Sequence, residues 1–583
     1  MTFAKAFQKA FAEQGQTVDT PNTEMYPTNP EDIPMMYRAQ ISGRCSLQYA
    51  GSEDDRDRWM EEWLDPQPGE TQPRRQHSTD VKKVLEEGHI YRVKISFPWR
   101  VFTNCGQDSI ARPVLDVRGI PQIPGSSIKG LFRRACQKRD RDKPESERLT
   151  NRYCGDKDNL KPGILRFHGA YPVGDWAGTV ETSDTQPNSP NYRMVDVVHP
   201  QQDWQMGTNP PKNGKKTPKK GNANALISLY KPTLVFEISS SEFLSQEQWT
   251  TIAAILRAAL RPGLGGKTSS GYGLVYEPRD KYNFDIRLTG KGMTPVLLGK
   301  EPEFRPNLFK AALRGHTRRL LAGCTNRARE VDNRIGQLFG STKAPSRVEI
   351  YWKEKSLSQL TTTYDVKGTL CMSAPDEKER NLLEAVLKFA YTMGGFGKSW
   401  RRVWHEMFYQ PIYQQKHHKR YNKDIGCHWE SNEYWLNEIE TPEQLRGFLD
   451  NLEQVCRQYW GGSMSQPVDW RETWHRDRVA VYGAVTARSQ AIELFHDAQF
   501  KTTPAIGGKQ PGDKRPKHVS SVLHRMLPIA QSSSENAQYL EIVTVFHGKN
   551  SSWQKNWERD GESQLNSFIQ ELKKKGLALT WGN

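Results

Sequence analysis

The side chains best placed to do chemistry in this chain are cations at helix starts and in glycine loops, and the arrangement occurs twice. The first copy reads Pro124-Gly-Ser-Ser-Ile-Lys-Gly-Leu-Phe-Arg-Arg134, followed by Arg261-Pro-Gly-Leu-Gly-Gly-Lys-Thr-Ser-Ser-Gly-Tyr-Gly273. The second reads Arg305-Pro-Asn-Leu-Phe-Lys-Ala-Ala-Leu-Arg314, followed by Gly394-Gly-Phe-Gly-Lys-Ser-Trp-Arg-Arg402. A helix N-terminus carries free N–H groups and partial positive charge, so it holds phosphate well. Lys129 and Arg133 lie one turn apart on one face, with Arg134 beside them, and Ser126 or Ser127 can cap the helix. Lys310, Arg314 and Arg318 repeat that spacing, with Arg319 adjacent. Aligning the copies puts Lys129 on Lys310 and Arg133 on Arg314. A solvated basic face would explain either copy alone. The recurrence beside a strand and a glycine loop favours an RNA or DNA backbone as ligand.

The glycine loops invite a nucleotide reading, because Gly266-Lys267-Thr268 and Gly397-Lys398-Ser399 both look like the end of a P-loop. That motif needs a further glycine five residues earlier, where Arg261 and Thr392 stand instead. What remains is a backbone that Gly265 and Gly266, or Gly395 and Gly397, let approach a phosphate closely. Lys267, or Lys398 with Arg401 and Arg402, then neutralises its charge, and Tyr272 and Trp400 could stack on bases. An ordinary tight turn is the competing reading. His417, His418, Cys427 and His428 share one short basic stretch, but no CxxC or HxxxH spacing supports zinc.

These elements sit in a chain of 583 residues, long enough for two to four domains at about 150 residues each. The formal net charge is +16 and the pI about 9.3, which favours an acidic partner, nucleic acid above all. No apolar run reaches about 18 residues, so no membrane-spanning helix is expected. Eight cysteines without a close pair fit reduced thiols and a cytoplasmic protein. Residues 1–35 read as a mobile leader, 36–280 as a first unit and 281–583 as a second with a C-terminal elaboration. A long basic insertion at 172–222 carries Lys212, Lys215, Lys216, Lys219 and Lys220. In the first unit the pattern predicts strands at 90–97 and 233–239, and helices from Ser126 and over 246–260. In the second it predicts a strand at 283–288 and helices from Leu308, over 377–391 and over 442–459. Strands at 478–485 and 539–546 and a last helix at 564–575 follow. The order strand, long loop, basic helix, strand, helix, glycine loop therefore repeats, and suggests an α+β protein of two tandem ferredoxin-like modules with long insertions.

The Pro124–Arg133 and Gly263–Gly273 segments resemble the two signature regions of the RAMP superfamily, the RNA-recognition-fold backbone subunits of CRISPR effector complexes. Gly163-Ile-Leu-Arg-Phe-His-Gly-Ala-Tyr-Pro172 and Met194-Val-Asp-Val-Val-His-Pro200 look like the sixth subunit of the type III-B complex, although the family usually has Asp where Gly169 stands. Phe304-Arg-Pro, Leu338-Phe-Gly340 and the second glycine loop resemble the first subunit of that complex. Two such units in one chain look most like a type III-D fusion. The resemblance implies a subunit that grips a guide RNA (crRNA) by its backbone, beside other effector subunits that include a large polymerase-like one. In some members an Asp ahead of the first basic helix cuts the paired target RNA with a divalent metal. Asp108, 17 residues before Gly125, matches that position best. It could bind Mg²⁺ or orient a ribose 2′-OH, with Lys129 or Arg112 stabilising the developing charge. The corresponding loop of the second unit has only Glu301 and Glu303 as acids and is expected to bind without cutting. Two alternatives stay open: a purely structural crRNA-binding subunit, and a guide-processing endonuclease acting alone.

Overall fold

The computed structural model describes most of residues 89–583. Apart from single residues and pairs, its gaps are 104–109, 115–120, 175–194, 199–223, 276–281, 296–301, 360–362, 398–407, 409–425, 462–465, 507–519, 530–536 and 554–557. The first module runs β1 (Ile90–Ser96), α1 (Gly125–Arg139), α2 (Leu149–Cys154), β2 (Leu165–Val173), β3 (Thr233–Ser240) and α3 (Gln246–Leu260). Its sheet order is β1-β3-β2, with β3 antiparallel to both neighbours. That is the order 1-3-2 of a ferredoxin-like unit. The apolar stripe of α1 (Ile128, Phe132, Cys136) buries against Trp249, Ile252 and Leu256 of α3 and Phe236 and Ile238 of β3. A Ser245–Gln248 capping box starts α3, a feature worth about 1 kcal/mol.

Helix α1 begins one residue earlier than the serines predict. Pro124 occupies the N-cap, no side chain caps the helix, and Ser126 and Ser127 are exposed first-turn residues. The cause lies in Gly125, which runs so close to β2 that a Cβ there would sit 1.8 Å from the Phe167 carbonyl oxygen. Opposite it β2 bulges between Phe167 and Gly169. Gly169 has φ +111°, and a Cβ would come within 2.8 Å of the Ile123 oxygen. The bulge explains glycine at this position, since an aspartate would be strained there. Nearby, Ile110–Ala111 pairs in parallel with Asn224–Ile227, which pairs antiparallel with Val195–Val198. Ile110–Ala111 is thereby linked, through Asn224–Ile227, to a strand inside the 172–222 insertion. The five lysines of that insertion lie outside the described residues, as does the 1–35 leader.

The second module follows with β4 (Phe284–Met293), α4 (Asn307–Ala322), α5 (Ala328–Phe339), β5 (Glu349–Gln359), β6 (Thr363–Ser373), α6 (Glu377–Phe389) and β7 (Cys427–Ser431). Its sheet is β5-β6-β4-β7, antiparallel throughout, a complete ferredoxin-like order of 2-3-1-4. Helix α7 (Pro442–Trp460) packs on α6 and opens with a Thr441–Gln444 capping box.

Where a C-terminal elaboration of the second unit was expected, the chain builds another four-stranded sheet. It comprises β8 (Val479–Thr486), α8 (Ala491–His496), β9 (Val522–Pro528), β10 (Tyr539–Phe546), α9 (Gln564–Lys574) and β11 (Ala578–Gly582). Its order β9-β10-β8-β11 is again 2-3-1-4. Val479, Val481, Leu523, Leu527 and Ile542 share one core with the second module, and Trp474 stacks on Trp581 at 5.4 Å. The buried Arg525 guanidinium of β9 donates to the Trp429 carbonyl oxygen at 3.0 Å and that of Cys427 at 3.4 Å, both on β7. This third copy lacks the basic pair. Its first helix, α8, has six residues and no Lys or Arg, and its first amides donate to the buried Glu541 carboxylate. Ser489 and His524 also bond Glu541, but the serine and the carboxylate meet the same ring nitrogen, so the trio is a buried cap and not a hydrolytic triad. Among the described residues no helix is long and apolar enough to cross a membrane, and the six described cysteines are free and buried.

Candidate nucleic-acid interface

The two aligned arginines have the same structural task. Arg133 donates to the carbonyl oxygens of Cys154 and Gly155 at 2.9 and 2.8 Å, at the C-terminus of α2. Arg314 donates to the Gly340 oxygen at 2.8 Å, at the C-terminus of α5. Gly155 and Gly340 have nearly the same backbone conformation, φ/ψ 96°/150° and 88°/153°. In each module the arginine therefore satisfies carbonyls that the next helix leaves open. Arg318 is held as well, by Asp332 at 2.7 Å and over the Trp470 ring at 3.7 Å, and Arg319 pairs with Glu472 at 3.0 Å. The aligned lysines differ from these arginines. Lys129 is half-buried on α1 and Lys310 is buried on α4, and neither makes an ion pair among the described residues. Arg134 is exposed.

The first glycine loop lies on the backbone of the segment that follows β1. Gly266 N donates to the Phe102 oxygen and Gly273 N to the Arg100 oxygen, both at 2.7 Å. A Cβ on Gly265 (φ +82°) would fall 2.1 Å from the Phe102 oxygen. The glycines thus serve close strand contact first. Lys267 takes a left-handed conformation (φ +55°) and stays half-buried. Tyr272, expected to stack on bases, is instead 6% exposed and packs on Trp99 with ring centroids 4.8 Å apart. The same segment clasps the second module. Arg100 makes a paired salt bridge to Glu303 (Nε–Oε1 2.7 Å, Nη2–Oε2 2.5 Å), Trp99 Nε1 donates to Oε1 at 3.2 Å, and Ser228 accepts from Arg100 at 2.8 Å. Glu303 appeared in the sequence only as an acid not placed for cutting. Its partner lies 203 residues away, and no local pattern announces it.

The clasp seats the start of α4 between both glycine loops. The first loop's turn Thr268–Ser270 packs on α4, and a Cβ on Gly271 would touch Asn307 Cβ at 2.9 Å. On the other side the second loop is tied down by Trp429, whose Nε1 donates to the Phe396 oxygen at 2.7 Å. Gly395 is buried with φ +65°. Gly397 has φ +116°, and a Cβ there would sit 3.0 Å from the Tyr364 hydroxyl. A cavity of about 290 Å³ opens between this loop and α4, lined by Arg305, Asn307, Ala311, His316, Tyr364 and Gly397. Burial keeps His316 well below the usual histidine range, hence neutral, and raises the Tyr364 hydroxyl well above its own. A second cavity of about 300 Å³ opens on the first module's side and shares Asn307. Lys310 lines it, with its pKa lowered to about 8, first by burial and then by the charge of Arg314. Pairing each basic helix with its own loop, as the sequence order suggests, misses that the first loop meets the second helix.

Asp108, Lys398, Arg401 and Arg402 lie outside the described residues. Among the described residues no three His, Cys, Asp or Glu side chains gather into a metal-holding group; the Mg²⁺ expectation rests on Asp108, which is not among them. Of the four residues weighed for zinc, only Cys427 and His428 are described. They are consecutive on β7 and so face opposite sides of the sheet. His428 Nε2 bonds Glu430 at 2.9 Å, and burial pushes the Cys427 thiol up to about 12.

Residues 100–276 match the RAMP superfamily model, a span running from Arg100 past the first glycine loop. Three solved structures are similar over part of the chain. Cmr1 from Pyrococcus furiosus, in its apo form, is 14% identical over 51% of this chain and 98% of its own, with a TM-score of 0.32. Cmr6 from Pyrococcus furiosus is 19% identical over 32% and 98%, with a TM-score of 0.19. A type IV-B CRISPR complex contributes a chain 14% identical over 33% and 94%, with a TM-score of 0.21. No curated protein sequence matches. At these TM-scores the structural likenesses carry no argument, and the fold assignment rests on the family match and the strand orders.

Proposed function

We propose, taking as premise that residues 100–276 form a RAMP superfamily domain, that this chain is a guide-RNA-binding backbone subunit of an RNA-targeting CRISPR effector complex. The observation that carries the reading is the start of α4. Its amides have no side-chain cap, it lies between two glycine loops, and Lys310 beside it has no anionic partner among the described residues. A helix N-terminus with unpaired cations suits a phosphodiester backbone and reads no base, as sequence-independent grip requires. Lys129 and Lys267 extend the cationic surface on the first module, while the arginines of the repeat hold the scaffold. The partners in this reading are guide RNA, target RNA and neighbouring effector subunits, including a large polymerase-like one. Its finer half assigns cleavage of the paired target RNA to Asp108 with Mg²⁺, on the strength of the family resemblance.

The test is binding of single-stranded RNA by the purified chain across a salt series. Neutralising about six phosphates costs several orders of magnitude in affinity between low and moderate salt. Lys129→Glu combined with Lys267→Glu should weaken binding to unrelated RNA sequences alike. An affinity indifferent to salt and to both reversals would remove the groove assignment.

A further inference from the structure

The cavity between the first and second modules has a composition that the grip on an RNA backbone leaves unexplained. Its deep wall is apolar and aromatic, built from Trp99, Leu274, Ile350 and Trp352, with Trp99 and Trp352 each 5% exposed. Trp352 is held flat against Phe309 at 4.6 Å and 27°, and its buried indole N–H has no hydrogen-bond partner among the described residues. Lys310, 6% exposed, lines the same space and has no acid opposite it among the described residues. Of the described lining residues the one acid, Glu354, lies at the exposed rim, 3.8 Å from Lys231. Asn307 completes the polar side, at a first turn of α4 that no side chain caps, although the Leu308 and Phe309 amides donate to the Arg305 and Pro306 carbonyl oxygens at 3.0 and 3.3 Å.

A buried cation without a partner is costly, and an anion entering the cavity would offset that cost. The ligand must bring that anion to Lys310 beside the helix start and a flat ring to the tryptophan wall. At about 300 Å³ the space lies at the small end of ligand pockets and has room for one unit, not a strand.

We propose that this inter-module cavity binds a single nucleotide, its phosphate on Lys310 and the α4 N-terminus and its base against the Trp99–Trp352 wall. The choice of a nucleotide rests on the RNA reading above. The unit is either one residue of the bound RNA turned into the cavity or a free nucleoside monophosphate.

The experiment uses the full chain, wild type and Lys310→Met, with Lys310→Gln as a second neutral variant, and two probes: 5′-AMP and single-stranded RNA. The expected result is that AMP raises the unfolding temperature of the wild type and of neither variant. RNA affinity should fall about tenfold in the variants, with the salt slope smaller by about 0.7, one phosphate contact. If saturation with RNA abolishes the AMP effect, the nucleotide comes from the RNA; if AMP still stabilises the RNA-bound chain, the cavity takes a free nucleotide. An AMP-indifferent wild type whose variants keep full RNA affinity and slope overturns the cavity proposal and leaves the RNA reading standing. A chain that binds no RNA overturns that reading, and the AMP arm alone then decides the cavity.

Discussion

Replacing Lys310 by methionine should stabilise this protein, and the gain should vanish at high pH. Burial, followed by the repulsion of Arg314, lowers the Lys310 ammonium from 10.5 to about 8. At 1.36 kcal/mol per unit, the folded state carries a penalty of about 3 kcal/mol wherever the amine is charged in both states. The sign follows from proton counting. Below pH 8 the folded and unfolded chains both hold the proton and the full penalty applies. Between about 8 and 10.5 only the unfolded chain holds it, so wild-type stability rises with pH. Above 10.5 both are neutral and the penalty is gone. Methionine has nearly the same length and volume and little cost of its own. Thermal unfolding at pH 7 and pH 10.5 should therefore show Lys310→Met melting several degrees higher at the first and level with wild type at the second. Comparing variant with parent at each pH cancels the other groups that titrate. A variant that melts at or below wild type at pH 7, or whose advantage persists at pH 10.5, would show that Lys310 is not an unpaired buried cation.

Three further perturbations probe the scaffold and the proposed cut. Glu303→Ala removes the paired salt bridge of the fully buried Arg100 and should cost about 3–5 kcal/mol, seen in chemical denaturation as early loosening of the first module from the second. Arg133→Met and Arg314→Met should each cost about 1–3 kcal/mol through orphaned carbonyls at Gly155 and Gly340. Their RNA affinity should fall far less than that of Lys129→Glu, and an equal fall would return the arginines to the interface. In an assembled complex supplied with Mg²⁺, Asp108→Ala should remove one target-RNA cut while guide binding persists; survival of every cut sinks the catalytic assignment.

Much of the fold could be read from local signals. Ser245 with Gln248 and Thr441 with Gln444 mark the starts of α3 and α7, and the predicted 246–260 helix matches the observed one to the residue. In the third sheet the strands near 478–485 and 539–546 and the helix near 564–575 are legible, but their forming another module is not, because its first helix is six residues long and carries no cation, so nothing in it echoes the basic repeat. The β5–β6 hairpin was missed because residues 353–356 of β5 are exposed and polar, which blurs the strand period. In the candidate site the residue types were legible but their partners were not. Lys129 and Arg133 look alike as cations on one helix face, yet one has no ion-pair partner among the described residues and the other holds carbonyls some 20 residues on. Tyr272 looked like a stacking platform because its burial under Trp99 is set by a loop-to-strand contact. The Arg100–Glu303 clasp and the meeting of the first loop with the second helix are long-range contacts that a pass along the chain does not show.

The most direct test of the central claim is to recover the tagged chain from the cell it comes from and sequence whatever RNA stays bound. A guide-binding subunit predicts short RNAs that share a repeat-derived segment and differ in the adjoining sequence, retained at low salt and released as salt rises. Recovery of no RNA, or of fragments sampled at random from the transcriptome, would contradict it.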